Sequence, residues 1–145
     1  MACPFFMPVE RLTESPWAYP SRLPLGDSWA GQCTAPGHEN DRLSRDELKH
    51  CNVGYAARYC PRVPAERSCD AVRFSVVHDK KKGAPGKIVL FYVCEIQYRP
   101  GEHGTLEFDA AAGQWTTTHA DPRIQRMADC YLQSYLACRR SVASG

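Results

Sequence analysis

The sequence predicts an α+β fold: an irregular, proline-rich amino-terminal half with one helix, then a four-stranded antiparallel meander and a C-terminal helix. Three observations carry that expectation. Eight of the eleven prolines fall in residues 1–64, where each removes a backbone donor and restrains the residue before it, so long regular elements are disfavoured. Between residues 70 and 119, apolar residues recur at alternate positions in runs parted by short turn-rich links. After Asp121-Pro122 the period lengthens to that of an amphipathic helix. One domain accommodates all 145 residues, with a Cys/Pro-rich half (1–69) expected to bind metal and a sheet-plus-helix half (70–141).

In the first half, Ser44-Arg45-Asp46-Glu47 reads as a capping box, with Ser44 capping and Glu47 reaching back. The helix it opens is expected over about 45–58, with Leu48, Cys51 and Tyr55 on one stripe and Gly54 as its weak point. In "DAVRFSVVHD", Val72, Phe74 and Val76 share one face while Arg73 and Ser75 take the other. "KKKGAPGK" links this strand to "KIVLFYVCEIQY", a long strand over about 87–98. "RPGEHG" reads as the next turn, "TLEFD" sets Leu106 and Phe108 on one side, and "QWTTTH" follows "AAAG" as the fourth strand. Links this short favour antiparallel neighbours. Asp121 caps the last helix and Pro122 takes its first position. Ile124, Met127, Ala128, Tyr131, Tyr135 and Cys138 form its apolar stripe over about 122–140, expected to cross the open face of the meander, and the tail "SVASG" is expected to fray.

Several function classes are disfavoured by composition. The hydrophobic fraction is 43%, the charged fraction 23% and the net charge +2, so no global field favours nucleic acid or an anionic membrane. No G-x-S-x-G, phosphate loop, H-E-x-x-H or dinucleotide fingerprint occurs. Residues 1–30 hold prolines at 4, 8, 16, 20 and 24 with Glu10, Glu14 and Asp27, which does not make an export signal. No run reaches the length of a membrane span. The expectation is a cytoplasmic protein with reduced thiols free for metal or packing.

The eight cysteines sort by context. Cys94 shares a strand face with Leu90, Tyr92 and Ile96 and reads as a small hydrophobe, whereas Cys130 and Cys138 on the last helix read as core or helix-surface thiols. Cys3, Cys33, Cys51 and Cys60 lie where no apolar periodicity explains them, and they are the expected metal ligands. Two precede proline, in Cys3-Pro4 and Cys60-Pro61, a pattern that recurs at iron–sulfur ligands. Cys69 is the reserve ligand should the amino terminus be mobile, and His38 or His50 could replace one thiol.

No C-x2-C knuckle of the kind structural zinc favours is present; 17 residues separate Cys33 from Cys51 and 8 separate Cys51 from Cys60. Dispersed cysteines suit the corners of a cubane, so a [4Fe–4S] cluster is the expected cofactor, with zinc as the alternative. These widely spaced cysteines ending in Cys60-Pro61 resemble the scattered-cysteine iron–sulfur patches of DNA-processing proteins such as primase large subunits and cluster-bearing nucleases. The nuclease and helicase motifs of those proteins are missing, and the chain is not assigned to them.

The function expected is that of an electron-transfer or accessory subunit working with another protein subunit or redox partner. A zinc-stabilised interaction module is the alternative, and a thiol enzyme pairing Cys51 with His78 or His103 a third reading. Three lesser features have plainer readings. His119 in "HADPR" could face an anion at the helix start, but reads as a turn histidine beside a cap. Lys80, Lys81 and Lys82 with His78 and Lys87 read as a solvated hairpin tip. Trp17, Tyr19, Trp29 and Tyr55 read as packing for the first half.

Overall fold

The computed structural model describes residues 1–12, 23–79 and 86–144, with the helical backbone alone for 139–144. The fold is mixed α+β. Strands β3 (Ala71–Asp79), β4 (Lys87–Ile96), β5 (Arg99–Asp109) and β6 (Gln114–Thr117) form one antiparallel sheet in chain order. The alternating pattern sets its register. Val72 lies opposite Cys94, Phe74 opposite Tyr92, Val76 opposite Leu90, and Leu90 opposite Leu106, so one face collects the apolar set. Gly104 faces Tyr92, where an added Cβ would come within 3.2 Å of the ring.

Helix α2 (Pro122–Ser144) packs on that face and buries Ile124, Met127, Ala128 and Leu132 against Val72, Ile88, Leu90 and Leu106. The Tyr131 and Phe74 rings meet at 5.8 Å, and Tyr135 Oη donates to Asp79 at 2.5 Å. The helical backbone continues to Ser144, beyond the expected end near 140 and through most of the tail expected to fray.

Two further boundaries differ from the sequence reading. "RPGEHG" belongs to β5, and the β4–β5 turn is Gln97-Tyr98, with φ of 51° and 63°. A two-residue hairpin of type I′ requires positive φ at both positions, which glycine or asparagine usually supplies. Here outside partners hold it: the Asp70 carboxylate accepts the Gln97 N–H at 2.8 Å, Tyr55 Oη accepts the Tyr98 N–H at 2.9 Å, and the Tyr55 and Tyr98 rings stack at 4.3 Å. Helix α1 spans Arg45–Asn52 rather than 45–58. Its capping box is present as read, with Ser44 Oγ accepting from Glu47 N and Glu47 Oε1 accepting from Ser44 N. Gly54, at φ +83°, turns the chain away, and a short 3-10 turn, Ala56–Arg58, follows.

The first half is more regular than expected. Strands β1 (Phe6–Arg11) and β2 (Trp29–Cys33) pair antiparallel, from Phe6 opposite Cys33 to Arg11 opposite Trp29. Proline is tolerated because a two-stranded sheet is all edge, and the missing N–H of Pro8 can face away from the partner. Gly31 permits the close approach, since a Cβ there would sit 2.1 Å from the Met7 carbonyl oxygen. Helix α2 ties this sheet to the larger one: Arg126 donates to the carbonyls of Pro8 (3.0 Å) and Val9 (3.1 Å). Ala2 forms a two-bond bridge with Val72 (2.9 and 2.8 Å) on the free edge of β3. Both halves contribute residues to one buried core.

Trp29 is buried and Tyr55 half-buried, in line with a packing role. Trp17, Tyr19 and Lys80 to Lys82 lie outside the described residues. No helix among the described residues is long and apolar enough to cross a membrane.

Candidate metal centre

Four separate segments deliver Cys3, Cys33, Cys51 and Cys60 to the wall of one cavity of about 90 Å³. Cys3 follows the Ala2–Val72 bridge, and its N–H donates to the Cys51 carbonyl at 3.0 Å, so the amino terminus is fastened both to the sheet and to α1. Cys33 ends β2, opposite Phe6, and the next residue, Thr34, donates its N–H to the Phe5 carbonyl at 2.7 Å. Cys51 lies in the last turn of α1. Cys60 follows the 3-10 turn and donates its N–H to the Ala56 carbonyl at 2.7 Å. The reversal at Gly54 therefore brings Cys60 back beside Cys51; a helix continued to 58 would have carried it away.

The rest of the wall is mostly apolar, including Phe5, Phe6, Ala35, Leu43 and Val63. Its polar members are Glu47, His50, Tyr59 and Arg62. One water needs about 10–15 Å³ measured in this way, so the space suits a group of several atoms. All eight cysteines are free thiols. A single zinc bound at about 2.3 Å per sulfur requires sulfurs about 3.8 Å apart. Among the described residues no group of three or more His, Cys, Asp or Glu is arranged to hold one metal ion. The four thiols share the wall of one cavity.

Burial governs the electrostatics. It lifts the Cys3 thiol from its ordinary 9.0 to about 12, with Cys33 and Cys60 adding repulsion against the bound Phe5 and Phe6 amides. Cys51 is pushed up chiefly by burial and further by Cys3, Cys33 and Cys60. Cys33 is raised by burial against the opposing Ala35 N–H, which donates to its sulfur at 3.4 Å. This coupling arises because the thiols face one another. Thiols so placed stay protonated until a cation compensates them.

Arg62 is the nearby fixed charge. It lines the cavity with Cys60, donates to Asp41 through Nε at 2.8 Å, and pairs with the Glu47 carboxylate. The hydrogen bonds to Asp41 and Glu47 raise its pKa. Glu47 therefore closes the α1 capping box with one oxygen and orients Arg62 with the other.

The remaining candidates separate cleanly. Cys69 is not on the cavity wall; its thiol donates to the Ala71 carbonyl at 3.4 Å. His50 is on the wall, its ring stacked on Tyr59 at 5.2 Å, whereas His38 turns to Asp41 at 2.8 Å. His78 and His103 belong to β3 and β5 and do not line the cavity, so the pairing with Cys51 finds no support in the geometry. Cys94 and Cys130 are buried in the core, and Cys138 is exposed on α2. At His119, the Asp121 carboxylate accepts the Arg123 N–H at 2.9 Å and occupies the helix start, and the His119 Nδ1 accepts the Asp121 N–H.

Sequence reasoning missed Asn52, which joins α1 to β2, along with Arg62 and Gly31. A polar residue directly after a cavity cysteine was the available signal for Asn52. No local pattern marks the other two. Comparison with known proteins finds no family model, no curated relative and no solved structure that matches the chain.

Proposed function

We propose that this is a small cytoplasmic iron–sulfur protein that holds a [4Fe–4S] cluster on Cys3, Cys33, Cys51 and Cys60 and serves as an electron-transfer or accessory subunit. The observation that carries the reading is the meeting of four thiols, from segments far apart in sequence, on one apolar cavity. The dispersed placement of these cysteines, without a C-x2-C knuckle, is what supports a multi-atom centre over zinc.

The chain's own residues have definable parts in this reading. Phe5, Phe6, Ala35 and Leu43 exclude water and lower the local dielectric. Arg62, held by Asp41 and Glu47, offsets negative charge on the thiolates. A bound cluster would supply one-electron exchange with a partner protein, and no substrate chemistry is assigned to the chain.

Iron and acid-labile sulfide analysis of anaerobically purified protein, with visible absorption, tests this. Equal iron and sulfide with brown colour is the expected result, lost in Cys51→Ser and Cys60→Ser. Stoichiometric zinc without sulfide would replace this reading with the structural module. Absence of both after anaerobic reconstitution would leave the thiols as packing groups.

A further inference from the structure

We propose that Arg62, pinned between Asp41 and Glu47, is a salt-sensitive latch across the mouth of the thiol cavity, setting how fast iron or a thiol reagent reaches Cys3, Cys33, Cys51 and Cys60. The identity of the natural entrant rests on the cluster reading. The latch itself does not, because access is measurable on the metal-free thiols.

The wall shows where the cavity meets solvent. Cys3 and Cys33 are buried and form its deep side. Tyr59 and Pro61 also line it, yet both are exposed, Tyr59 by 60%. The opening therefore lies along residues 59–63. Backbone bonds of this segment run back on itself: the Cys60 N–H donates to the Ala56 carbonyl, and the Val63 N–H to the Cys60 carbonyl at 3.4 Å. Among the described residues, its hydrogen-bonded ties to the other wall segments are those of the Arg62 side chain. One goes to Asp41, in the loop after β2 that carries Ala35 and Leu43, and the other to Glu47 on α1.

Both acceptors are held independently of Arg62. The Asp41 N–H donates to the His38 carbonyl at 3.1 Å, and its carboxylate lies 2.8 Å from His38 Nδ1. Glu47 is fixed by the capping box with Ser44. The Asp41 and Glu47 side chains are 36% and 34% exposed, and ion pairs with such access to solvent are weakened by salt. Release of the one guanidinium frees residues 60–63 from two wall segments at once.

The test is timed labelling of the full-length, chelator-treated protein with N-ethylmaleimide, read thiol by thiol by mass spectrometry. The reagent is uncharged, so salt acts on the protein rather than on the encounter. Exposed Cys138 is the internal reference, and the core thiols Cys94 and Cys130 report any opening of the whole fold. In Arg62→Gln the four cavity thiols should label about two- to fivefold faster relative to Cys138. Loss of the cation alone would disfavour the thiolates and slow their labelling, so the direction separates access from charge. Asp41→Asn, which leaves every wall residue in place, should give part of that gain and add little on top of Arg62→Gln. In the natural protein, raising sodium chloride to about 1 M should quicken the cavity thiols by a similar factor, with no such response in Arg62→Gln. Cavity labelling that is unchanged or slower in Arg62→Gln overturns the proposal. If Cys94 and Cys130 quicken in step, the variant has lost its fold and the natural protein decides: a salt-independent cavity rate there overturns the latch. Iron release from the loaded protein to a chelator should follow the same order of variants. A protein that never holds iron removes the cluster reading and leaves the labelling result standing.

Discussion

The side-chain amide of Asn52 completes the backbone hydrogen bonding of Trp29: Oδ1 accepts the Trp29 N–H and Nδ2 donates to the Trp29 carbonyl, both at 2.9 Å. The same Nδ2 also donates to the Leu48 carbonyl at 2.8 Å. One buried amide thus acts as a strand partner for the start of β2 while holding the end of α1, next to Cys51. Removing it leaves buried backbone groups unpaired, each costing about 1–3 kcal/mol. Asn52→Ala should lower the thermal midpoint markedly and reduce metal loading in parallel. A midpoint within error of the natural protein would show that the clamp is dispensable.

The cysteines provide a graded comparison. Cys51→Ser and Cys60→Ser should abolish iron retention and weaken the first half. Cys94→Ala removes one buried sulfur from the core and should cost about 1 kcal/mol with iron content unchanged. Iron-to-protein ratios and denaturant midpoints for all three measure this. Equal losses across the series would mean the ligand set is wrong.

Gly31 offers a test that touches no ligand. A methyl group there would overlap the Met7 carbonyl and come within 2.9 Å of the Phe6 ring. Gly31→Ala should therefore force β1 and β2 apart, at about 1–3 kcal/mol. Amide exchange across the two strands should quicken while β3 to β5 keep their protection.

The raised thiols give a pH dependence with a definite sign. Cys3 titrates near 12 in the folded chain against 9.0 when unfolded, and Cys51 and Cys33 shift in the same direction. Between these values the unfolded chain binds fewer protons than the folded one, so stability falls as pH rises. Chelator-treated protein should lose stability progressively from about pH 9 toward 12. Metal-loaded protein should resist that loss, because its thiolates are already compensated. Urea titrations at stepped pH on both forms provide the readout.

Asp70 responds in the opposite sense. Burial raises its carboxyl, but the Gln97 N–H, Arg67 and Tyr55 overcome that and hold it below the ordinary carboxylate value. Its contribution is complete above the unfolded pKa and fades as pH falls through the folded one. Asp70→Asn should make the protein less stable at neutral pH and flatten the acid limb of its stability curve. An unchanged acid limb would remove Asp70 from this role.

The sheet was legible because period-two alternation in "DAVRFSVVHD" and "KIVLFYVCEIQY" specifies which side chains face the core. The start of α1 was legible from its reciprocal caps. The β4–β5 turn was not, because Gln97-Tyr98 lacks the usual turn residues and depends on Asp70 and Tyr55 from elsewhere. Strand β1 was hidden by Pro8, which reads as a breaker until an all-edge sheet accommodates it. The four thiols stood out because the apolar pattern had no use for them. Arg62 is positioned by Asp41 and Glu47, 21 and 15 residues away, and no local pattern reports such an arrangement.

The Ala2–Val72 bridge has a bearing on the order of assembly. Seventy positions separate its partners, a loop-closure cost that makes this a late contact in folding. During synthesis Ala2 must wait, without this partner, until β3 has emerged. Until then Cys3 has no neighbouring anchor on the sheet, and the cavity wall that carries its thiol is incomplete.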